Sequence, residues 1–290
     1  MALERPPLHF AHANGFPIGS YRQFLAPLQA VADVSCTDFI GHHPDYPVTD
    51  NWFYLCDHLL HDVEAAVKRS GRPVLGIGHS LGGGLMFMSS LRRPELFQSV
   101  TLLDVPLITF WEATFFALLK RSPWRDRFTP AGRASRRRSE WASRQDAFDY
   151  MRQRALFARF PDSVLWDYIK AVLEQLPATE PASDIGETPQ TGWTLRYRPE
   201  VEAEIFRTYP TNWVRRYRHH HPGLSVVIGE DTDLVRPHHV HLMRQRLGIP
   251  VHEARGGHLF PLEHPQASAE QLLGLLDVGE VEADTGTDSG

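Results

Sequence analysis

The pentapeptide Gly78-His79-Ser80-Leu81-Gly82 constrains the fold of this chain more than any other stretch. It follows the apolar run 74–77 and precedes a helix-compatible stretch, 81–91. A serine in a G-x-S-x-G pattern between a strand and a helix lies on a sharp turn, with its hydroxyl exposed above the sheet. The flanking glycines let the strand and the helix approach so closely that a Cβ would clash. The pattern predicts that Ser80 is a nucleophile, the alternative being a capping serine in a glycine-rich turn.

Strand-like and helix-like segments alternate on both sides of a long interruption. The strand-like segments are 8–13, 32–40, 73–77, 99–105, 224–228 and 251–254. The helix-like segments lie at 19–28, 51–68, 82–91, 237–247 and 265–276. This alternation predicts an α/β fold with a doubly wound, mostly parallel sheet that helices cover on both faces.

The interruption, residues 106–221, differs in composition from the rest. It is rich in Trp, Phe, Arg and Tyr and has helical periodicity at 107–119, 141–157 and 163–176. We expect a helical cap over the carboxyl-terminal edge of the sheet, with an irregular loop at 177–192. The core would then consist of 1–105 and 222–278, and the acidic segment 279–290 would be a disordered tail.

Composition argues against several classes of partner. The 290 residues include 30 Lys and Arg and 35 Asp and Glu, and the net charge of −5 predicts no general affinity for nucleic acid or an anionic membrane. No run reaches the roughly 18 apolar residues of a membrane span, and the amino terminus does not resemble a signal peptide. Cys36 and Cys56 have no metal-type spacing and are expected to be buried free thiols. We expect a cytoplasmic protein that binds a small molecule; the oligomeric state is not indicated.

Acyl transfer by a serine needs a histidine base and an acid that orients it. In a doubly wound sheet these groups lie on loops at the carboxyl ends of strands. The loop after strand 251–254 contains His258, and the loop after strand 224–228 contains the carboxylates of Glu230, Asp231 and Asp233. The order serine, acid, histidine is the one associated with this strand–turn–helix motif. The alternative for His258 is an ordinary loop histidine.

The developing oxyanion needs backbone N–H donors. One is expected at Leu81, directly after the nucleophile and at a helix amino terminus. The other is expected from the turn after the first strand, where Gly15 lets the backbone turn inward and present the N–H of Phe16. Asn14 is expected to brace this loop and His79 to support the site. The alternative is an ordinary Asn-Gly turn.

Together, these stretches resemble the α/β-hydrolase superfamily, and specifically its capped serine esterase-like branch. The resemblance rests on His12-Ala13-Asn14-Gly15-Phe16-Pro17, Gly78-His79-Ser80-Leu81-Gly82-Gly83, Gly229-Glu230-Asp231-Thr232-Asp233 and Gly257-His258. It covers about 1–105 and 222–278 and leaves out the cap. It implies no metal and no organic cofactor.

The resemblance also bears on the choice of acid. In similar sequences the acid follows the strand before the last, three or four residues after a glycine such as Gly229. Asp233 fits the longer spacing and is the predicted acid, because Thr232 at the shorter spacing cannot orient a histidine as an anion. The neighbouring Asp231 is one alternative. Asp104 is another, since some members of the family place the acid after the strand that ends there.

The sequence departs from the family at two places. Members often begin with an antiparallel hairpin, but only seven residues precede Leu8 here. We therefore expect a sheet of about six strands without that hairpin. In the oxyanion loop, Asn14 stands where many relatives have a histidine.

A serine at the turn predicts a reaction class. Dehalogenases and epoxide hydrolases of this superfamily use an aspartate there, so Ser80 favours hydrolysis of a small, largely apolar ester, thioester or lactone through an acyl-enzyme. One alternative is carbon–carbon bond hydrolysis of the ring-cleavage type, which uses the same three residue types. The other is a non-catalytic binding protein on this fold, which usually lacks a member of the triad.

The cap should determine substrate choice. Four aromatic residues near its start either wall an apolar pocket or pack the cap onto the core: Phe110, Trp111, Phe115 and Phe116. A basic run either attracts an anionic substrate, such as a coenzyme A moiety, or is a solvated helix face: Arg133, Arg136, Arg137 and Arg138. The run His219-His220-His221 has no surrounding ligand set, so no metal is predicted there.

Overall fold

The computed structural model describes residues 5–176 and 192–276. Its strands are β1 (Pro7–Ala11), β2 (Asp33–Thr37), β3 (Val74–His79), β4 (Phe97–Leu103), β5 (Glu140–Trp141), β6 (Leu173–Gln175), β7 (Trp193–Leu195), β8 (Leu224–Gly229) and β9 (Val251–Ala254). Its helices are α1 (Arg22–Val31), α2 (Phe53–Ser70), α3 (Leu81–Arg92), α4 (Phe110–Leu119), α5 (Arg125–Phe128), α6 (Ala131–Ala134), α7 (Arg144–Arg152), α8 (Asp162–Val172), α9 (Pro199–Arg207), α10 (Pro237–His241), α11 (Phe260–Glu263) and α12 (Pro265–Leu276).

Six of the strands form one parallel sheet. Their order is β2-β1-β3-β4-β8-β9, and each neighbouring pair is parallel. This confirms the predicted α/β fold with a sheet of about six strands. Within the described residues no hairpin precedes β1. Strand β3, which leads to Ser80, lies near the middle of the sheet, between β1 and β4.

Helices cover both faces of the sheet, as a parallel sheet requires. On one face, Phe24 of α1 and Leu272 of α12 share a buried cluster with Ile77 of β3. On the other, Leu59 of α2 and Met86 of α3 belong to a second buried cluster. The sheet is thus dry on both sides, and its open ends are the places where polar chemistry meets solvent.

The segment between β4 and β8 contains α4 to α9 together with a small antiparallel sheet, in the order β5-β7-β6. The expected helix 163–176 was too long, because the chain leaves the helix after Val172 and Leu173 pairs with Leu195 instead. Apolar spacing alone does not reveal where a buried segment becomes extended. The predicted loop at 177–192, apart from its last residue, and the predicted tail at 279–290 lie outside the described residues.

Two further properties concern membrane-spanning helices and the two cysteines. No helix within residues 5–176 and 192–276 has the length and apolar character needed to cross a membrane. Cys36 is partly buried and Cys56 is buried, and both are free. Burial raises the pKa of each thiol to about 12, so both remain protonated near neutrality.

Candidate active site

Ser80 lies on a strained turn between β3 and α3. Its φ of 52° and ψ of −112° are unusual for a residue with a side chain. The turn can form because glycines surround it: a Cβ on Gly78 would lie 2.4 Å from the carbonyl oxygen of Gly82. A Cβ on Gly82 would lie 2.2 Å from the carbonyl oxygen of Ala11. The two glycines therefore allow α3 to start directly against the sheet, with Ser80 at the apex.

The structure brings Ser80, His258 and Asp104 into one hydrogen-bonded line. The Nε2 atom of His258 lies 3.1 Å from the Oγ of Ser80, and its Nδ1 lies 2.7 Å from Oδ2 of Asp104. Because a carboxylate accepts, Nδ1 carries the proton and Nε2 is left as the acceptor for the serine hydroxyl. This is the tautomer that a general base needs.

Asp104, and not Asp233, is the acid that contacts His258. Its side chain is fully buried and accepts two further hydrogen bonds, from the N–H of Gly229 at 2.9 Å and the hydroxyl of Thr232 at 2.6 Å. Its own backbone has a φ of 51°, which turns the side chain back toward the end of the sheet. Three donors, counting His258, thus fix the carboxylate in place.

The two acids after β8 lie elsewhere. Asp233 is exposed and lines the cavity beside Ser80, and Asp231 forms a salt bridge of 2.9 Å with Arg159. The expectation that Asp233 orients His258 is therefore corrected. The physical reason is the strand order: β4 lies directly beside β3, so the residue that directly follows β4 is closer to the turn at Ser80 than the loop after β8 is. Thr232, at the shorter family spacing, contributes its hydroxyl to Asp104 instead.

Of the two expected oxyanion donors, one is free and the other is engaged. Among the described residues the N–H of Leu81 has no backbone partner, in keeping with its position at the amino terminus of α3. The N–H of Phe16 donates to the carbonyl oxygen of Ala13 at 3.0 Å and closes a turn in which Gly15 has a φ of 80°. The expectation of a free donor at Phe16 is thus corrected, because the turn itself uses that N–H.

Asn14 connects this loop to the segment between β4 and β8. Its side-chain amide donates to the carbonyl oxygen of Glu202 at 3.0 Å and accepts from the hydroxyl of Tyr197 at 3.1 Å. Tyr197 also donates to the carbonyl oxygen of Ile40 at 2.8 Å. Asn14 therefore joins the end of β1 to α9.

A buried chain of hydrogen bonds connects the oxyanion loop to the histidine loop. The N–H of Ala13 donates to the hydroxyl of Tyr21 at 3.2 Å, and Tyr21 lies 2.7 Å from Nδ1 of His79. The Nε2 of His79 lies 2.8 Å from the carbonyl oxygen of His258. A carbonyl only accepts, so Nε2–H donates and Nδ1 accepts from Tyr21.

His79 is neutral in this chain. Burial, and secondarily the neighbouring His258, lowers its pKa to about 3. His79 therefore acts as a fixed link, with one donor and one acceptor, between the loop after β1 and the loop that contains His258. The sequence predicts a supporting role for His79, but nothing in it distinguishes Tyr21 within the helix-like segment 19–28.

A cavity of about 640 Å³ opens beside Ser80. Most of its lining is apolar, and much of it is aromatic: Trp52, Trp111, Phe115, Phe116, Tyr209 and Trp213. Of the four aromatic residues considered at the start of the cap, Phe110 alone does not line the cavity. The few charged groups at the wall are Glu112, Asp233 and Arg236, together with His239. The volume lies in the range of small-molecule sites.

One group of side chains has the composition of a metal site. Glu112, His238 and His239 place ligand atoms within 4.8 Å of one another. However, the N–H of Arg236 donates to Nδ1 of His239 at 3.1 Å, so the proton of this ring is on Nε2, which faces Oε1 of Glu112 at 3.0 Å. A metal would need the lone pair that this proton occupies. The arrangement thus fits a set of hydrogen bonds that joins α4 to α10 better than it fits a metal site.

Glu112 is well suited to accept these hydrogen bonds, because its carboxyl group is ionised. Partial burial favours its neutral form, but hydrogen bonds from Thr109 and His238 outweigh burial and lower its pKa to about 2. The histidines at the end of the cap have structural partners: Nε2 of His221 lies 3.0 Å from the carbonyl oxygen of Phe97, and Nε2 of His220 lies 3.0 Å from that of Leu247.

The predicted basic run does not behave as one unit. Arg137 is largely buried, where it forms a salt bridge with Glu202 and donates to the hydroxyl of Tyr168 at 2.8 Å. Arg138 forms a salt bridge of 2.8 Å with Asp146. Arg133 and Arg136 are exposed, as are most of the arginines that follow α4.

Comparison with known proteins gives the family. The sequence profile of the alpha/beta hydrolase family matches residues 10–271. None of the curated proteins matches the chain significantly.

Solved structures share the fold at low identity. An E-2-(acetamidomethylene)succinate hydrolase is 18% identical with a TM-score of 0.64, over 94% of this chain and 92% of that one. The thioesterase domain from the curacin biosynthetic pathway is 15% identical with a TM-score of 0.64, over 93% and 91%. An esterase of M. tuberculosis is 18% identical with a TM-score of 0.64, over 94% and 86%. The fold, the match over most of the sequence and the serine turn agree, and this chain belongs to the alpha/beta hydrolase family.

Proposed function

We propose that this hydrolase cleaves a small, largely apolar carboxylic ester, thioester or lactone through an acyl-enzyme on Ser80. The observation that carries the proposal is the line from Ser80 through His258 to Asp104, with hydrogen bonds of 3.1 and 2.7 Å at the wall of an apolar cavity. The serine, histidine and acid that a serine hydrolase needs are in contact. This argues against a non-catalytic binding protein, which usually lacks one of the three.

In the proposed reaction each of these residues has a role in the first half. His258 Nε2 takes the hydroxyl proton as Oγ of Ser80 bonds to the carbonyl carbon of the substrate. Negative charge develops on the carbonyl oxygen, and the N–H of Leu81 at the amino terminus of α3 stabilises it. The intermediate collapses, the carbon–oxygen or carbon–sulfur bond breaks, and His258 returns the proton to the leaving group.

Water completes the cycle. His258 takes a proton from a water molecule as that water attacks the acyl carbon, and then protonates Oγ as the carboxylic acid leaves. Asp104 remains ionised throughout and stabilises the imidazolium that forms twice per turnover. Phe16 would act as a second oxyanion donor only if its N–H were shared with, or released from, the oxygen of Ala13; Leu81 needs no such change.

The apolar cavity supports an acyl group as the part of the substrate that is bound. We expect kcat/KM for p-nitrophenyl esters to rise from acetate toward longer acyl chains, by about fourfold for each methylene that enters the cavity. The increase should stop when the cavity is full. A panel of acyl esters, thioesters and lactones, measured by steady-state kinetics, checks this expectation.

The same panel separates the alternatives. Turnover of vinylogous diketones without turnover of any acyl compound would assign carbon–carbon bond hydrolysis instead. Binding of an apolar ligand without turnover of either class would favour a binding protein. A flat dependence on acyl length would contradict the assignment of the cavity to the acyl group.

Tyr21 should act as a positioning residue through His79. In the Tyr21→Phe variant, the N–H of Ala13 and Nδ1 of His79 lose their partner in a dry environment, and we expect a loss of about 1–3 kcal/mol in the free energy of unfolding. Because His79 holds the carbonyl of His258, kcat should fall about ten- to a hundredfold while KM changes little. Thermal denaturation and steady-state kinetics measure the two effects.

Tyr168→Phe is a matched control, since it also removes a buried phenolic hydroxyl with a 2.8 Å hydrogen bond, here to Arg137. It should cost stability without a comparable loss in kcat. If both variants lowered kcat equally, the effect would be general loosening, and the positioning role of Tyr21 would be refuted.

A further inference from the structure

The outer face of α4 is apolar, and it is exposed at the mouth of the cavity. Phe110, Trp111, Phe115 and Leu118 are 51, 78, 56 and 67% exposed. At 3.6 residues per turn their positions span an arc of roughly 140°, so they form one face of the helix, which we call the apolar mouth face. Trp111 and Phe115 also line the cavity, and the face is therefore continuous with the proposed substrate site.

This amount of exposed apolar surface is unusual. Soluble proteins expose single large apolar side chains, but a contiguous group of four marks an interaction site. Here α4 is not a loosely attached element whose exposure is accidental. Its amino terminus has a capping box between Thr109 and Glu112, and Glu112 accepts from His238 and His239 of α10.

A group of cations follows the apolar mouth face along the chain. Residues 110–138 contain eight Lys and Arg and two acidic residues, a net charge of +6 in a chain whose total is −5. Five exposed arginines, which we call the basic cluster, belong to this segment: Arg121, Arg125, Arg127, Arg133 and Arg136. Thr129 and Pro130, between members of the cluster, line the cavity, so the cluster borders the same opening.

Most of the basic cluster has no acidic partner. Among the described residues only Arg125 of the cluster has a carboxylate within 4.0 Å, that of Asp126 at 3.9 Å, and Asp126 is bound more closely by Arg207 at 2.6 Å. The salt bridges that do form in this segment neutralise other cations, as between Lys120 and Asp50. The cluster therefore presents positive charge to whatever contacts the mouth.

We propose that the apolar mouth face and the basic cluster dock this protein on an anionic lipid surface, with the cavity opening toward the lipid. Aromatic and aliphatic side chains enter the boundary between headgroups and acyl chains, and arginines beside them bind the phosphates. Both components are present on one rim, next to an apolar cavity. The inference does not depend on the chemistry of Ser80.

A lipid surface explains the rim better than a second copy of the chain. A symmetric dimer would bring the two basic clusters face to face, and like charges in contact repel. The net charge of −5 predicted no affinity for anionic membranes, but it averages over the whole chain. Outside residues 110–138 the remaining charge is −11, so the positive rim is a local feature that the total conceals.

Vesicle flotation tests the proposal. The full chain carrying Ser80→Ala, which prevents turnover of lipid, is mixed with phosphatidylcholine vesicles or with vesicles that contain phosphatidylglycerol as well. We expect binding to the anionic vesicles and little binding to phosphatidylcholine alone. Binding should weaken as salt rises from about 0.05 M to about 0.5 M, because salt screens exposed charges.

Two double variants separate the contributions. Phe110→Ala with Leu118→Ala, neither of which lines the cavity, should lower the partition coefficient at least about tenfold. Arg125→Glu with Arg127→Glu should lower it about 25-fold or more, since each cation near an anionic surface contributes about fivefold.

The controls lie away from the mouth. Lys68→Glu with Arg69→Glu changes charge equally near the end of α2, at the opposite edge of the sheet, and Leu156→Ala removes another exposed leucine of the cap. Both should leave the partition coefficient unchanged.

Four outcomes would overturn the proposal. One is the absence of binding to anionic vesicles at low salt, and another is an equal loss of binding in the control variants. The third is a concentration-dependent dimer in sedimentation velocity that Phe110→Ala with Leu118→Ala abolishes while vesicles are not bound, which would assign the rim to a second copy. The fourth is vesicle binding that depends on the arginines but not on Phe110 and Leu118, which would refute insertion of the apolar mouth face.

Discussion

Replacing Ser80 by alanine should lower kcat/KM for the best ester of the panel by about 10⁴- to 10⁶-fold. The expectation follows from the proposed roles, because removal of the hydroxyl leaves His258 and Asp104 with no nucleophile to activate. Binding of the acyl group should persist, since the apolar walls of the cavity are unchanged. Steady-state kinetics on the purified variant measures the loss, and binding of a carboxylic acid product measures what remains.

A covalent probe makes this test specific. A fluorophosphonate should label the wild-type protein at Ser80 in the folded state and should not label the alanine variant. Ser99→Ala is a suitable control, because Ser99 lies near the start of β4, its buried hydroxyl has no partner among the described groups, and the site is at the other end of that strand. A Ser80→Ala enzyme with unchanged turnover, or labelling of another residue, would remove Ser80 from the mechanism.

The nucleophile turn could be predicted because its determinants are local. Gly78 and Gly82 lie within two residues of Ser80, and each is required by a contact of less than 2.5 Å that a Cβ would make. A strand before the turn and a helix after it suffice to state where the hydroxyl will lie. The alternation of strands and helices could be predicted equally well, because apolar residues recur with different periods in strands and in helices.

The acid could not be chosen in this way, because its position depends on the order of strands in the sheet. The spacing after Gly229 favoured Asp233 as the acid. In the structure, however, β4 lies beside β3, and Asp104 at its end contacts His258. Two signals in the sequence were compatible with this result. Asp104 lies near the end of the strand-like segment 99–105, and a threonine stands at the shorter family spacing, where it can donate to a carboxylate.

Contacts between distant segments explain the other differences. Tyr21 touches Ala13 and His79 through its hydroxyl, and no periodicity distinguishes such a tyrosine from one that only fills the core. The same limit applies to α4. Its composition allowed either a pocket wall or packing onto the core, and only the placement of the helix shows that Trp111 lines the cavity while remaining 78% exposed.

Asp104→Asn is the variant that distinguishes the two acids, and we expect it to lower kcat by about 10⁴-fold. The amide would present either an N–H toward Nδ1–H of His258, or an oxygen there at the expense of the bond from the N–H of Gly229. In the first case the imidazole turns to the wrong tautomer, and Nε2 no longer accepts the proton of Ser80. KM should change little, because Asp104 is buried and does not line the cavity.

Asp233→Asn and Asp231→Asn are the matched controls, since each makes the same change on the loop after β8. Both carboxylates are exposed, so we expect kcat within about threefold of the wild type, with a change in KM for Asp233→Asn if the leaving group contacts that wall of the cavity. Circular dichroism and thermal denaturation establish that Asp104→Asn remains folded, because loss of a buried carboxylate with three donors also lowers stability. A folded Asp104→Asn enzyme that retains its rate, beside an Asp233→Asn enzyme that loses it, would return the orienting role to the loop after β8.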